Sequence, residues 1–304
     1  MNPKISVVIP TYESEARIGY SLDSVLKQTL YELEIIIVWL KGRDETELKI
    51  KSYVSDHRVK LVEQTEKTGP GGAREIGVSV ATGKFIGFVD SDDCISQDFY
   101  QRLYEAAERV NADIAFGEIN KARWKRSCVY SSFADKYSLL ENGAIFDKIF
   151  SKDLIVKNNI HFPQGIFYED NPWVLKAFWH SNKLVTVPSA RYFYWEWDRI
   201  SDRLPKLIES SKKVALIYSE FMESVDMSNK ERSLVRSKFV RHCFPYEYMR
   251  EEDVTKIKKI FGCFPEFSRF IIRKKRRMFF RSIFHISLRR KEINFMFKTY
   301  HIGK

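Results

Sequence analysis

Three carboxylates directly follow a short apolar segment in the first third of the chain. Residues 85–93 read Phe-Ile-Gly-Phe-Val-Asp-Ser-Asp-Asp, so Asp90, Asp92 and Asp93 come at the end of a predicted buried strand. Parallel sheets bind ligands at the carboxyl ends of their strands. Clustered carboxylates repel one another, and a divalent cation relieves that repulsion while offering a site for a nucleoside diphosphate. The other reading is that these acids only satisfy turn and cap hydrogen bonds near Ser96.

A second acidic pair, Glu169 and Asp170, precedes Asn171 and Pro172. Proline is common at the first position of a helix, so the pattern predicts a helix that starts here. Carboxylates at a helix N-terminus interact favourably with the helix dipole, and capping is therefore the simpler interpretation of the local pattern. The two roles are compatible, because a helix N-terminus is also a firm mount for a carboxylate that accepts a proton.

The elements around these acids alternate between strand and helix. Apolar runs predict strands over 5–9, 33–39, 59–62, 85–89 and 112–116, with amphipathic helices between them. Ser14 and Ser96 are the expected N-caps of two of these helices. Continuous apolar strands alternating with helices predict an α/β fold with a parallel, doubly wound sheet covered on both faces. We assign residues 1–118 to a Rossmann-like nucleotide domain.

The amino-acid composition limits the class of protein and the kinds of partner that the chain can have. The 304 residues are 44% hydrophobic and 30% charged, as in a globular chain, and the net charge of +11 favours anionic partners. The four cysteines form no Cys-x-x-Cys pair, which favours reduced thiols in a cytosol. We find no signal-peptide pattern and no apolar run that could span a bilayer. Residues 119–202 are rich in aromatic side chains, and residues 203–304 are predicted to be largely helical.

A basic segment over 269–291 interleaves Lys and Arg with Phe and Ile. On a helix, apolar and basic residues fall on separate sides, which is typical of a helix that lies on an anionic membrane surface. The same pattern also describes an ordinary surface helix that packs its apolar stripe on the domain. We do not favour nucleic-acid binding, because no known nucleic-acid motif accompanies the charge.

Four motifs together resemble the family 2 glycosyltransferases, the GT-A enzymes that build bacterial surface polysaccharides. The motifs lie at 6–13 (SVVIPTYE), 72–77 (GAREIG), 81–93 (ATGKFIGFVDSDD) and 159–170 (NIHFPQGIFYED). Together the motifs span about two thirds of the chain. Their order and spacing are strong evidence, whereas a lone Asp-x-Asp would be weak evidence. The resemblance implies inverting transfer of a sugar from a nucleotide-sugar to a hydroxyl of a glycan or lipid-linked acceptor, with residues 119–202 as the acceptor and catalytic half of the GT-A domain. Because of the basic segment 269–291, we expect this transfer at the cytoplasmic face of the membrane.

The resemblance also implies roles for individual residues. Asp90 and Asp92 would hold Mg²⁺ or Mn²⁺ against the diphosphate, and Asp170 would act as the catalytic base that takes the acceptor proton. The residues expected to contact the nucleotide-sugar, which is expected to be a UDP-sugar, are Thr11, Tyr12, Glu13, Trp39, Arg74, Asp90 and Ser91. We also expect that Trp195 and Trp197 could stack on a sugar, although core packing is the default for aromatic residues.

The chain departs from the family at the end of the second strand. The usual Val-Asp-Asp-Gly-Ser is replaced by Val-Trp-Leu-Lys-Gly over 38–42, and the first missing carboxylate is the one that usually recognises uracil. Trp39 cannot accept that hydrogen bond, because an indole only donates. Asp44 still matches the acidic residue that follows the motif, whereas Glu75 replaces a frequent asparagine. The alternative function is therefore a catalytically impaired GT-A partner protein that acts as a binding module.

Overall fold

Strands and helices alternate through the first two thirds of the chain, as the hydrophobic pattern predicts. The computed structural model describes residues 2–121, 143–195, 204–244 and 251–261. The strands are β1 (Ile5–Thr11), β2 (Leu33–Leu40), β3 (Val59–Gln64), β4 (Phe85–Phe88), β5 (Cys94–Ile95), β6 (Ile114–Lys121), β7 (Lys148–Ser151) and β8 (Leu184–Tyr194). The helices are α1 (Ile18–Leu26), α2 (Thr46–Lys51), α3 (Gly69–Val80), α4 (Phe99–Val110), α5 (Lys152–Lys157), α6 (Asp170–His180), α7 (Leu204–Ser224), α8 (Asn229–His242) and α9 (Glu251–Phe261).

Within the described residues the strands form one sheet in the order β3-β2-β1-β4-β7-β6-β8-β5. The pairs β2–β3, β1–β2, β1–β4 and β6–β8 are parallel, which confirms the α/β prediction of a mostly parallel sheet. Strand β7 is antiparallel to both of its neighbours, β4 and β6, and β5 is antiparallel to β8. The sheet therefore departs from a purely parallel one in the half that follows β4.

The second half of the sheet holds two features that the sequence pattern did not predict. Strand β8 continues through Pro188, although proline usually interrupts a strand, and β6 carries an irregularity between Phe116 and Glu118. Both features lie where the pairing of β6 with β8 shifts its register. This shift lets strand β8 accommodate the proline. Strand β6 also runs across residue 118, the predicted end of the nucleotide domain.

Apolar side chains cover both faces of the sheet, as predicted. Along β1, Val8 packs into one core with residues of α3, α5, α6 and the C-terminal helices, whereas Val7 and Ile9 pack into a second core with α1 and α4. This alternation follows from the two-residue period of a strand. A Cβ at Gly77 would lie 2.3 Å from Cγ1 of Val8, so the glycine lets α3 lie close against β1.

Two of the predicted helix caps are wrong. Helix α1 begins at Ile18, three residues later than a Ser14 cap requires, and the Ser14 carbonyl accepts hydrogen bonds from the amides of Arg17 and Ile18. Helix α4 begins after Asp98, and the Ser96 hydroxyl donates to the Asp98 carboxylate at 3.2 Å. A turn precedes the helix in both places. The backbone carbonyl of Ser14 supports the first turn, and the side chain of Ser96 supports the second, a local hydrogen bond that serine favours.

The C-terminal part is helical over the described residues, as predicted. Helices α7, α8 and α9 pack their apolar faces on the core that contains α6. The basic segment 269–291, Trp197, Cys128 and Cys263 lie outside the described residues, while Cys94 and Cys243 are free thiols. No helix in the described ranges combines the length and hydrophobicity needed to cross a bilayer.

Candidate active site

A buried arginine joins the two acidic motifs. Arg74 of α3 donates from Nη2 to Oδ1 of Asp90 at 2.7 Å and from Nη1 to Oε1 of Glu169 at 2.5 Å. The side chains of Arg74 and Glu169 are almost completely buried, whereas that of Asp90 is 26% exposed. The arginine therefore holds the turn after β4 against the N-terminus of α6. It brings the predicted residues Arg74, Asp90 and Asp170 into one site.

Helix α3 reaches this position because small residues line its first turn. A Cβ at Gly71 would lie 2.7 Å from the carbonyl oxygen of Pro163 and 2.8 Å from Cγ of Glu169. Those distances are too short for a side chain, so the glycine permits close approach of the helix to the segment that carries Glu169. Arg74 follows one turn later on the same helix.

Arg74 acts on three carboxylates in this site, those of Asp90, Glu169 and Asp170. Burial, opposed by the charge of Arg74 and aided by that of Asp170, raises the pKa of Glu169 to about 7. Burial also raises the pKa of Asp170, and Asp90 adds to this effect, while Arg74 and Lys238 oppose it. An acid whose pKa lies nearer neutrality is a better proton acceptor than an ordinary aspartate, which suits a general base.

Asp170 is the first residue of α6, and Glu169 is its N-cap. The Asn171 amide donates from Nδ2 to Oδ1 of Asp170 at 3.0 Å. Pro172 is therefore the third residue of the helix. The sequence pattern predicted it to be the first, and that prediction is wrong. The preceding residue, Tyr168, has a φ of 64°, so a left-handed turn directs the chain into the helix.

Tyr192 of β8 stabilises the turn after β4 with two hydrogen bonds. The Tyr192 hydroxyl accepts from the Asp90 amide at 3.1 Å and donates to Oδ2 of Asp93 at 2.8 Å. The Trp195 amide donates to the other Asp93 oxygen at 2.7 Å. Asp93 is buried, and burial together with the charges of Asp90 and Asp92 raises its pKa to about 8. Asp93 thus shapes the turn and leaves Asp90 and Asp92 as the carboxylates closer to solvent.

The fit of these residues to a divalent metal rests on two oxygen donors. Mg²⁺ commonly uses one or two carboxylates together with substrate phosphates, and Asp90 and Asp92 match that requirement. No group of three potential ligands suited to a metal occurs in the ranges that the structure describes. A metal held by Asp90 and Asp92 would therefore need the phosphates of a bound nucleotide to complete its coordination.

The turn after β1 lies beside the turn after β4. The hydroxyls of Ser14 and Ser91 are 2.6 Å apart, which connects the two turns directly. Thr11 is buried and donates to the Ile9 carbonyl, whereas Tyr12 is 39% exposed. Lys67 donates from Nζ to the Tyr12 hydroxyl at 2.7 Å and lies 4.2 Å from the ring centroid. Of the predicted nucleotide contacts at this turn, Tyr12 is therefore accessible and Thr11 is not.

Glu13 and Ser91 lie in these two neighbouring turns. Glu13 is exposed and has a φ of 47°, a left-handed conformation that turns the chain after β1. A Cβ at Gly42 would lie 2.7 Å from Cγ of Glu13, so the loop after β2 passes close to this side chain. Ser91 is half-buried between Asp90 and Asp92.

Trp39 is packed in the core, and Asp44 is hydrogen-bonded to backbone amides. Trp39 pairs with Thr11 across β1 and β2, is 6% exposed and belongs to the apolar core, so little of its surface is available to a base. Asp44 accepts from the backbone amides of Glu15 at 3.0 Å and Thr46 at 3.3 Å. These hydrogen bonds lower the pKa of Asp44 against the effect of its partial burial, and they give the residue a role in the loop.

Sequence reasoning missed the partners that hold the site. Glu169 was adjacent to the predicted base, but nothing in the pattern indicated an ion pair with Arg74. Tyr192 belongs to the aromatic-rich segment 119–202, in which the sequence does not single it out. Glu75, which departs from the family, accepts from the Phe162 amide at 2.9 Å and lies 2.6 Å from Nδ1 of His161. It therefore fastens α3 to the segment before α6.

The fold and the arrangement of these motifs define a GT-A glycosyltransferase. The family model for glycosyl transferase family 2 matches residues 6–159, and the chain belongs to that family. The match contains the turn after β4 and Arg74, and it ends before Glu169 and Asp170.

Known proteins resemble the chain beyond the family match. Glycosyltransferase GlyG of Streptococcus pneumoniae is 24% identical over 87% of this chain and 95% of its own length. Poly(ribitol-phosphate) beta-N-acetylglucosaminyltransferase TarS of Staphylococcus aureus is 25% identical over 80% of this chain and 44% of its own length.

Solved structures share the fold at low sequence identity. The crystal structure of TarS residues 1–349 in complex with UDP-GlcNAc has a TM-score of 0.71 at 20% identity, over 84% of this chain and 79% of that one. Mannosyltransferase PcManGT of Pyrobaculum calidifontis, in complex with GDP-Man and Mn²⁺, has a TM-score of 0.59 at 15% identity, over 90% and 80% of the two chains.

Proposed function

We propose that this glycosyltransferase inverts the sugar configuration, depends on Mg²⁺ or Mn²⁺, and uses Asp170 as its base. The observation that carries the proposal is the Arg74 bridge between Asp90 and Glu169, because it brings a carboxylate turn beside a second acid at a helix N-terminus. Inversion needs a base on the side opposite the departing diphosphate. The two acidic sites that Arg74 joins would supply both needs: the turn after β4 for the diphosphate, and Asp170 for the base.

Each residue has a defined task in this proposal. Asp170 accepts the proton of the acceptor hydroxyl, and its pKa, raised by burial, favours that transfer. Arg74 fixes Asp90 and balances the charge of the acids around it. Ser91 lies at the same turn, where its hydroxyl can donate to a phosphate oxygen. A metal held by Asp90 and Asp92 would stabilise the negative charge of the leaving diphosphate.

We propose a UDP-sugar as the donor. The UDP-GlcNAc complex of TarS, a structural neighbour, supports this choice, and Tyr12 offers an accessible ring beside the site. The missing carboxylate at Trp39 opposes it, because the indole is buried and has no acceptor. We infer that uracil, if it is the base, is recognised by backbone groups of the loop after β2.

We propose that the acceptor belongs to a cell-surface polysaccharide or its lipid-linked precursor. The names of the relatives, which include an enzyme acting on poly(ribitol-phosphate), support this class of acceptor. The basic pattern at 269–291 supports a position at the inner membrane face. A truncation after Cys263 that stays folded should lose binding to anionic vesicles, and unchanged binding would refute the membrane contact.

The second candidate is a catalytically impaired partner protein that only binds. The observation that favours it is the replacement of the family's acidic residues by Trp39 and Leu40. Calorimetry with UDP, CDP, GDP and ADP, each with Mn²⁺, separates the two. Binding of one nucleotide together with sugar transfer supports the enzyme. Absence of binding to all four nucleotides supports the impaired partner.

A further inference from the structure

The segment that leads into helix α6 has an unusual backbone. This Asp170 segment, residues 163–170, contains two left-handed positions, Gly165 with a φ of 68° and Tyr168 with a φ of 64°. Glycine adopts this conformation freely, whereas a tyrosine adopts it at a cost in free energy. A tyrosine in this conformation persists only where the surrounding structure fixes the chain. The contacts around Tyr168 therefore decide how the chain enters α6.

Helix α3 provides two contacts to the Asp170 segment. The Gly165 amide donates to the carbonyl of Thr68, the N-cap of α3, at 2.8 Å. Oε1 of Glu169 accepts from Nη1 of Arg74 on the same helix at 2.5 Å. The first contact lies before Tyr168 and the second lies after it. Helix α3 thus fixes both ends of the turn in which Tyr168 is left-handed.

Helix α7 provides a further contact, a hydrogen bond to a buried serine. The Phe167 amide donates to Oγ of Ser210 at 2.9 Å, and the two residues are 43 positions apart in the chain. The side chain of Ser210 lies in α7 and the residue is 5% exposed. Because Phe167 directly precedes Tyr168, this hydroxyl fixes the chain next to the left-handed residue. Helix α7 lies beyond residue 159, where the family match ends.

We infer that Ser210 is a positioning residue for Asp170: through the Phe167 amide, its hydroxyl keeps Tyr168 left-handed and so sets where the Asp170 carboxylate lies. The inference rests on the proposed role of Asp170 as the base. Without this hydrogen bond the Phe167 amide can turn, and Tyr168 can relax to an ordinary φ, which moves Asp170. A displacement of about 1 Å can lower a catalytic rate about a hundredfold. The C-terminal helices would then help to place the active site as well as to form the core.

The neighbouring serine of α7 is a matched control. Ser211 is also buried, but its hydroxyl donates to the Cys243 carbonyl at 2.5 Å. Ser210→Ala and Ser211→Ala each remove one buried hydrogen bond, so we expect similar falls in the unfolding temperature of the full chain. Only Ser210→Ala should lower kcat, by about tenfold to a hundredfold, with the donor KM within about threefold of wild type. Ser210→Thr keeps the hydroxyl and should restore kcat. Wild-type kcat in Ser210→Ala, or an equal loss of kcat in both alanine variants, would overturn the inference.

A double-mutant cycle tests whether Ser210 acts through Asp170. In an Asp170→Asn background, Ser210→Ala should lower the residual kcat by less than about twofold, because the group that it positions is already lost. Losses that multiply independently would overturn the inference. Wild-type kcat in Asp170→Asn alone would instead reject Asp170 as the base, and with it the premise of the inference.

Amide hydrogen exchange supplies a readout that does not need activity. Peptides that cover residues 163–170 should exchange faster in Ser210→Ala than in wild type or in Ser211→Ala, because the Phe167 amide loses its acceptor. Unchanged exchange in Ser210→Ala would overturn the inference. If wild type transfers no sugar, the proposed function fails, whereas the exchange rates still decide whether Ser210 holds the Asp170 segment.

Discussion

Nη1 of Arg74 lies 2.5 Å from Oε1 of Glu169, and both side chains are buried. The two residues are 95 positions apart in the chain, on helix α3 and at the start of helix α6. The second guanidinium nitrogen, Nη2, holds Asp90 at 2.7 Å. One side chain therefore sets the separation between the carboxylate turn and the candidate base, and the predictions below start from this contact.

Removing the arginine should damage folding and activity together. Arg74→Met leaves Glu169 and Asp90 without their cation, and breaking a buried ion pair by removing one partner costs about 3 to 5 kcal/mol. Chemical denaturation measures the loss in the free energy of unfolding. Arg58→Met is a control, because Arg58 is also paired with an aspartate but lies outside the site. Wild-type stability in Arg74→Met would contradict the role of the bridge.

The pH dependence of stability should report on Glu169. Its pKa in the folded protein is raised to about 7, so the folded state binds this proton more tightly than the unfolded state does. Stability from this group is present below the unfolded pKa, near 4.5, and is lost as the pH rises through 7. Glu169→Gln should remove that loss, so its unfolding temperature should fall less between pH 5 and pH 8 than that of wild type. Parallel curves for the two proteins would be inconsistent with the buried acid.

The turn that carries Asp90 should depend on the Tyr192 hydroxyl. Tyr192→Phe leaves the Asp90 amide without this acceptor and Oδ2 of Asp93 without this donor, and each buried unsatisfied group costs about 1 to 3 kcal/mol. We expect a lower unfolding temperature and a higher KM for the donor. Tyr20→Phe, at an exposed tyrosine, should change neither quantity. An unchanged donor KM in Tyr192→Phe would show that the turn does not need this hydroxyl.

Glu34 should stabilise the fold without affecting chemistry. Its buried carboxylate accepts from the hydroxyl of Ser6, from Nζ of Lys60, and from the amide and hydroxyl of Thr82. These partners lower its pKa although burial opposes them, so their contribution is lost as the pH falls below its usual value near 4.5. Glu34→Gln should cost about 2 to 3 kcal/mol at pH 7, with an unchanged kcat.

The matched control for Glu34→Gln is Glu32→Gln, because Glu32 forms a surface ion pair with Lys4. Surface pairs contribute less than about 1 kcal/mol, so denaturation curves of the control should nearly overlay those of wild type. Equal destabilisation by the two variants would contradict the distinction between the buried network and the surface pair.

The sequence predicts the sheet and the acidic motifs because both depend on local patterns. Apolar runs such as 33–39 mark strands, and the spacing of Asp90 and Asp92 is visible at the strand end. Local patterns cannot show the Arg74–Glu169 contact, because it joins two residues that are 95 positions apart in the chain. Pro188 shows the limit of local rules, because shifted pairing of β6 with β8 lets the strand continue through it. Lys238 is hidden for a different reason: only the fold reveals that this lysine is buried.

The most direct test of the central claim is the rate of sugar transfer by Asp170→Asn. Wild type and variant are compared with Mn²⁺ and the UDP-sugar that wild type uses, at saturating donor. The account predicts a fall in kcat of about 10² to 10⁴, the typical contribution of a general base, with nucleotide affinity within a factor of three. Transfer by Asp170→Asn at the wild-type rate would contradict the assignment of Asp170 as the base.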